Sequence, residues 1–374
     1  MTVIAVAGQS VRLLAQAAAQ DGFDVVALDV FGDVDTCAVA SHWIGIGSPS
    51  PPRIDGERLL SALAELKRQG EVSGWVAGGG LEGQPALLAQ GAALLPLWGT
   101  EPAAVARVRD PATFFDVLAA HDIEHPPWSR QAPADPDGWL SKDAQACGGW
   151  HVREASDPAD VAPGVHGYFQ RRVSGHAMSA TFLGNGRDAI VLGFNRQLVG
   201  RIGARPYVFC GVVGPVPVPD EVARQVRRAV SILTDAFGLR GLASLDFMLD
   251  GIRCSVLEVN PRPTASLAAY RAWRPLAAHV HACRQGRMPR SPPPDGAVTG
   301  CEIVFARQPM HLTPAGARWL SEAADVHDLP RAGQQFAAED PVCSVGAQGA
   351  TEADVLARLR QRRIDLLNSL EERP

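Results

Sequence analysis

Glu258 and Asn260 stand two residues apart in the run Leu257-Glu258-Val259-Asn260-Pro261-Arg262. Strand side chains alternate with period 2. Val256, Glu258 and Asn260 are therefore expected on one face, with Glu258 and Asn260 roughly 7 Å apart. Two oxygen-bearing side chains among apolar neighbours suit a hard cation such as Mg²⁺. Asp246, twelve residues before Glu258, is the third candidate donor. The segment between them reads as two strands joined at Asp250-Gly251, a strong short-range hairpin signal. Parity decides what Asp246 does. A two-residue turn at 250–251 pairs Asp246 with Ser255, on the face away from Glu258. A three-residue loop pairs it with Val256 and brings it to the Glu258 face. The bland alternative is a core hairpin with a carboxylate at one strand end.

The rest of the chain supplies elements to position such a hairpin. Val3 to Ala7 reads as a buried strand, then a helical pattern carries Val11, Leu14, Ala15 and Ala18, and Val25 to Leu28 is a second strand ending at Asp29. This is a Rossmann-like βαβ opening. An acid some twenty residues after Gly8 suggests dinucleotide binding, but Gly-x-Gly-x-x-Gly is absent, so nicotinamide binding is a minor alternative. A helix over 57–69 and a strand from Gly74 to Ala77 lead to Gly78-Gly79-Gly80, at the edge where open α/β sheets place ligands. Pro111 to Ala120 is a helix stopped at Pro126-Pro127. His121-Asp122-Ile123-Glu124-His125 matches His-x-x-Glu-His, but Pro126 pushes His125 out of helical geometry, and an exposed helix end is the better reading. Met178 to Leu183 and Ala189 to Phe194 form a hairpin, with Arg196 or Gln197 placed to face a ligand. Tyr207 to Val216 is a strand. A helix from Pro219 to Phe237 carries Val222, Val226, Ala229, Leu233 and Phe237 on one stripe, with Gly238 after its end. Met288 to Gly296 is a Pro-rich linker, Ala297 to Phe305 a strand, and Thr351-x-x-Asp354 the capped start of a last helix.

Leu257-Glu258-Val259-Asn260-Pro261-Arg262, preceded by Ser244-Leu245-Asp246-Phe247, resembles the metal-binding segment of the ATP-grasp superfamily. The branch it is most similar to is that of ATP-dependent carboligases related to biotin carboxylase. The resemblance implies a mixed α/β and α+β chain. Residues 1–105 would form a Rossmann-like pre-ATP-grasp domain, 106–290 the ATP-grasp domain in two lobes (106–166 and 167–290), and 295–374 a small β-rich C-terminal domain. It implies Asp246, Glu258 and Asn260 as ligands of Mg²⁺ or Mn²⁺. Trp139-Leu140-Ser141-Lys142 looks like the strand ending in the nucleotide lysine, which makes Lys142 a phosphate contact. Ala146 to Val152, with Gly148 and Gly149, would be the loop covering those phosphates through backbone N–H groups. Gly167 to Gly175 resembles the linker between the lobes, with Gln170 and Val173 as nucleotide contacts; the alternative there is an ordinary strand and turn. The family's lysine near Pro111 is replaced in Val108-Arg109-Asp110-Pro111, where Arg107 or Arg109 is the candidate substitute. Arg262 would face a phosphate or a substrate carboxylate; otherwise it makes a surface salt bridge.

The implied activity is a carboxylate–amine ligase of a biosynthetic pathway, working through an acyl phosphate. Lys142 and Arg262 would be its catalytic cations. Biotin carboxylation in trans, a nicotinamide oxidoreductase and a non-catalytic ATP-binding protein are the alternatives. Composition agrees with an enzyme of this size. The 374 residues suggest two or three domains, and 46% hydrophobic with 20% charged residues read as soluble and globular. A net charge of −5 leaves no nucleic-acid footprint. No apolar run approaches the length of about eighteen that a membrane helix needs. The start reads as a strand, not a signal peptide, and seven scattered cysteines without Cys-x-x-Cys suit a reducing cytoplasm. A homodimer is a family-level expectation only.

Overall fold

A computed structural model of the chain describes residues 2–156, 166–289 and 297–371. The apolar runs at the N-terminus pair as a parallel sheet. Its strand order is His42–Gly45, Phe23–Asp29, Thr2–Ala7, Val72–Ala77. Helices Arg12–Gln20 and Gly56–Gln69 connect its strands, as parallel pairing requires. The second is set by local chemistry. Asp55 accepts hydrogen bonds from the Glu57 and Arg58 N–H groups, and Gly70 closes the helix at φ 75°.

A small antiparallel sheet follows, ordered Trp128–Ser129, Gly167–Arg171, Trp139–Asp143, Arg153–Glu154. The largest sheet has eight strands. It begins with the hairpin Arg253–Asn260 and Arg240–Asp250, then runs through His176–Asn185, Ala189–Ile202 and Arg205–Gly214. Val298–Phe305, Pro341–Gly349 and Val326–His327 complete it. The C-terminal strands thus extend the sheet that carries the hairpin. The second-lobe strand expected to reach Val216 ends at Gly214, where a cis peptide precedes Pro215. The Pro-rich linker lies, from residue 290 on, outside the described residues, as does 157–165 near the expected lobe boundary.

Helix Asp220–Phe237 buries the expected stripe, Val222, Val226, Ala229, Leu233 and Phe237, and ends at Gly238 with φ 69°. Each of the Val, Leu and Phe side chains contributes roughly 1.5–3 kcal/mol on burial, so this helix anchors the back of the large sheet. The last helix, Glu352–Glu371, starts as expected, with Thr351 Oγ1 accepting from the Asp354 N–H at 3.2 Å. Among the described residues no helix is long and apolar enough to cross a membrane.

Candidate functional site

The hairpin turns at Gly251-Ile252, one residue later than either expected turn, so that Asp250 pairs with Arg253 and Phe247 with Val256. Unbroken, that register would set Asp246 opposite Leu257. A bulge intervenes: Asp246 pairs with Glu258, Leu245 with Val259 and Ser244 with Asn260. One extra residue on one strand reverses side-chain parity. Two consequences follow. Asp246 shares a face with Glu258 and Asn260, by a route neither turn offered. Val256 does not share that face, contrary to expectation; it packs in the core with Phe247.

Asp246 is held tightly. Asn260 Nδ2 donates to Asp246 Oδ2 at 3.0 Å, and Ser244 Oγ donates to Oδ1 at 3.2 Å. Gln197, from the strand Ala189–Ile202, adds a side-chain hydrogen bond to it. Burial first, and then the charge of Glu258, push the Asp246 carboxyl up to about 7. Glu258 moves the other way. Burial raises it, but Arg109, then Lys142 and His151, outweigh burial and hold it below the usual carboxylate range.

Cations converge on this face from two other segments. Arg109, at the end of helix Pro102–Arg109, reaches Glu258 Oε2 at 3.0 Å and donates to the carbonyls of Ala144 (2.7 and 3.0 Å) and Ala146 (2.8 Å). Arg107 does not join it: it binds the Ala236 carbonyl and lies over Phe237. Of the two candidates to replace the lysine, only Arg109 faces the hairpin. Lys142 is buried, with Nζ donating to Gln170 Oε1 at 3.0 Å and lying 5.7 Å from the Tyr168 ring centre. These two residues are neighbours because Gly167–Arg171 pairs antiparallel with Trp139–Asp143. Burial pushes the Lys142 ammonium down, but Tyr168 and Glu258 outweigh it and the net direction is up. Gln170 Nε2 is buried without a partner, and so is His151 Nδ1. Burial also drives His151 down to about 4.

Arg262 lies on no open surface. Its Nε donates to Glu82 Oε1 at 2.7 Å and its Nη2 is 2.5 Å from the same oxygen. Glu82 is 3% exposed, and its other oxygen accepts from the Gly80 N–H at 2.7 Å. The glycine strand end therefore presents an acid to Arg262. Sequence reasoning missed Glu82; its only signal was an acid two residues after the glycine run. Gly148 and Gly149 sit at φ 70° and 76°. A Cβ on Gly149 would lie 1.9 Å from the Tyr207 carbonyl oxygen, so this loop needs glycine to lie on the strand Arg205–Gly214. Val173 is half-buried just beyond the strand that holds Gln170.

Two other sequence features take structural parts. Asp29 is fully buried and accepts from the Val11 and Gly32 N–H groups and from Trp43 Nε1, so its carboxylate is consumed by its own parallel sheet and the adjoining loops. In the His-x-x-Glu-His run, Glu124 pairs with Arg253 and accepts from Ser255 Oγ, while His125 packs on Phe115.

A family model of the ATP-grasp domain matches residues 108–266. No curated protein matches the sequence. Three solved structures indicate the range of likeness. Biotin carboxylase from Campylobacter jejuni, in a β,γ-ATP complex, matches at TM-score 0.74 and 13% identity, over 99% of this chain and 95% of that one. The biotin carboxylase domain of Hydrogenobacter thermophilus 2-oxoglutarate carboxylase, a dimer with MgADP, ADP and bicarbonate, matches at 0.69 and 13%, over 96% and 89%. N5-carboxyaminoimidazole synthase from Aspergillus clavatus, with ADP and 5-aminoimidazole ribonucleotide, matches at 0.71 and 11%, over 98% and 99%.

Proposed function

We propose that this chain, a member of the ATP-grasp superfamily with a fold related to biotin carboxylase, is an ATP-dependent carboxylate–amine ligase. A small carboxylate takes the γ-phosphate of ATP to become an acyl phosphate, and an amine then displaces phosphate. One observation carries the reading: Asp246, Glu258 and Asn260 share a face on which Arg109 reaches Glu258 and Lys142 lies within its field.

The residues fit the groups this reaction needs. Two carboxylates and an amide oxygen are hard donors, and the raised Asp246 is a buried acid beside a second acid, which a cation would relieve. Among the described residues no cluster of three or more His, Cys, Asp or Glu could hold a metal alone. That suits Mg²⁺, which commonly binds through one or two carboxylates plus phosphates and water. The unpartnered Gln170 Nε2 is a donor left for the nucleotide. Mg²⁺, when bound, supplies charge neutralisation at the phosphate oxygens.

The chain's own part is positioning and electrostatics. Gln170 fixes Lys142, whose ammonium stays charged in the buried site. Glu82 fixes Arg262, whose planar fork suits phosphate or carboxylate. Arg109 neutralises Glu258 while braced on the carbonyls that lead into the glycine loop. Closed over a bound nucleotide, that loop would limit water access to the phosphates.

The likeness to biotin carboxylase over 99% of the chain favours one second reading, carboxylation of biotin in trans. The test is Mg²⁺-dependent ADP release over a panel of carboxylic acids with mixed amines, including bicarbonate with biotin, for the wild type and Glu258→Ala. ADP with one acid and an amine, lost in the variant, supports the ligase. ADP with bicarbonate and biotin alone selects carboxylation. ATP bound tightly with no ADP from any mixture removes the claim of catalysis.

A further inference from the structure

A cavity of about 770 Å³ lies beside the reaction centre, within the range of about 300–1,000 Å³ typical of small-ligand sites. The two adjoin. Cys147, on the cavity wall, lies in the fields of Glu82, Arg262 and Arg109. Gly8, just before the wall residues Gln9 and Ser10, packs on Gly78 and Gly79, and Gly79 lies against the Arg262 guanidinium.

Asp33 opens onto this cavity and is only 8% exposed. It precedes helix Val34–Val39 but makes no capping hydrogen bond, and among the described residues its carboxylate has no hydrogen bond or ion pair. Nearby acids are satisfied. Asp35 accepts from the Asp328 and Leu329 N–H groups. Asp328 holds Arg12 at 2.6 Å and accepts from Ser344 Oγ. Arg12, whose charge acts on this group, is thus spent on Asp328 and on Asp35 at 3.6 Å, and Arg331 is turned to the Gly32 carbonyl and Cys37 Sγ. Burial, then Asp328, Asp29 and Asp35, push the Asp33 carboxyl up to about 8, the direction expected of an acid lacking its counter-charge.

The walls narrow the occupant. Phe31, Trp150, Phe209 and Phe305 contribute aromatic surface, with Trp150 and Phe305 edge to face at 6.0 Å. Glu339 and Asp340 also line the cavity; the guanidinium of its one lining arginine, Arg205, is turned to the Trp150 carbonyl at 3.2 Å. An anion would meet net repulsion here. The acids beside Asp33 are already engaged, Asp328 by Arg12 and Ser344 and Asp35 by backbone N–H groups, so they offer a metal ion no second free carboxylate. Aromatic faces with an unpaired buried carboxylate suit an organic cation.

Resting on the ligase reading, we propose that Asp33 is the counter-ion for an ammonium-type group on one of the two substrates, held in this aromatic-walled cavity while its other end reacts. That group sits either on the carboxylate substrate or on the amine substrate as a second positive charge.

Calorimetric titration of the full chain with Mg-ATP present tests it, using two matched pairs of probes. The first is 6-aminohexanoate against hexanoate; the second is 1,6-diaminohexane against hexylamine. The expected result is that in one pair the added ammonium tightens binding at least tenfold, and that Asp33→Asn abolishes the difference. The pair that responds identifies which substrate carries the cation. Equal affinity within both pairs, absence of binding by both cationic probes, or a preference that survives Asp33→Asn would overturn the proposal. Asp33→Glu keeps the charge and restores the preference if charge, not packing, is the cause. ADP release over the panel of acids with mixed amines is read separately: cation binding without ADP from any mixture leaves this site standing and removes the ligase, and ADP without a cation preference does the reverse.

Discussion

Glu82→Gln keeps the side-chain shape and removes one charge from a pair that joins residues 180 apart in sequence. The Glu82 side chain is 2% exposed and that of Arg262 is 16% exposed, so the stranded guanidinium keeps little solvent. Breaking a buried pair by removing one partner costs about 3–5 kcal/mol. Arg262 retains the Pro263 carbonyl at 3.1 Å and the glutamine retains one oxygen, which places the loss at the low end, about 3 kcal/mol. Arg262→Gln should cost a similar amount, because it leaves Glu82 buried and charged. The double variant should cost about as much as either single change, giving a coupling energy of about 3 kcal/mol. Urea unfolding followed by tryptophan fluorescence measures all three. ADP release by Glu82→Gln should fall at least about tenfold, since a loosened Arg262 forfeits about 1.4 kcal/mol of transition-state stabilisation. Additive losses within about 0.5 kcal/mol, or unchanged ADP release, would refute the idea that Glu82 holds Arg262 in place.

Gly149→Ala puts a Cβ 1.9 Å from the Tyr207 oxygen at a φ of 76°. The loop should lift from its strand and lose the bond from the Phe209 N–H to the Gly148 carbonyl. The KM for ATP should rise about tenfold or more while the melting temperature moves little; an unchanged KM would mean the loop does not cover the nucleotide. His279 supplies a pH test. Its Nδ1 accepts from the Leu242 N–H at 2.8 Å and its Nε2 faces the Trp98 carbonyl at 2.9 Å, so the neutral ring is the one that fits. Burial depresses it from 6.5 to about 4. The unfolded chain therefore binds the proton first: stability is full above pH 6.5 and is lost as pH falls toward 4, by up to about 3 kcal/mol. Urea midpoints across that range should fall in the wild type and fall less in His279→Asn; equal slopes would sink the assignment.

Local patterns made much of the scaffold legible. The stripe of helix Asp220–Phe237 and its terminal glycine are a contiguous signal, and so are the parallel strands Thr2–Ala7 and Phe23–Asp29. The hairpin itself was legible, but its parity was not. A bulge at Leu257 carries no side-chain signature, because it is selected by what the two faces must meet: Phe247 and Val256 a core, Asp246 and Glu258 a cleft. The choice between Arg107 and Arg109 stayed open for a similar reason. Two residues apart on a helix point to different sides, and only tertiary packing says which side meets the hairpin. Glu82 was out of reach of any local rule, since its partner lies 180 residues away, just past the strand Arg253–Asn260.

The charges of the site explain why its assembly is stable before any ligand arrives. Lys142, Arg109 and Arg262 stand against Glu258, Asp246 and Glu82, three formal positives and three formal negatives. Uncompensated burial of any one would be costly. Arg109 answers Glu258 and Arg262 answers Glu82, while Lys142 rests on the neutral Gln170 and Asp246 on the neutral Asn260 and Ser244. The two groups left with neutral partners are a cation and an acid, the pair of functions that a nucleotide phosphate and a divalent ion would engage. Binding then exchanges partners among charges already in place instead of burying new ones. Because little reorganisation is needed at the moment of reaction, that exchange is where a site built on electrostatics gains its rate.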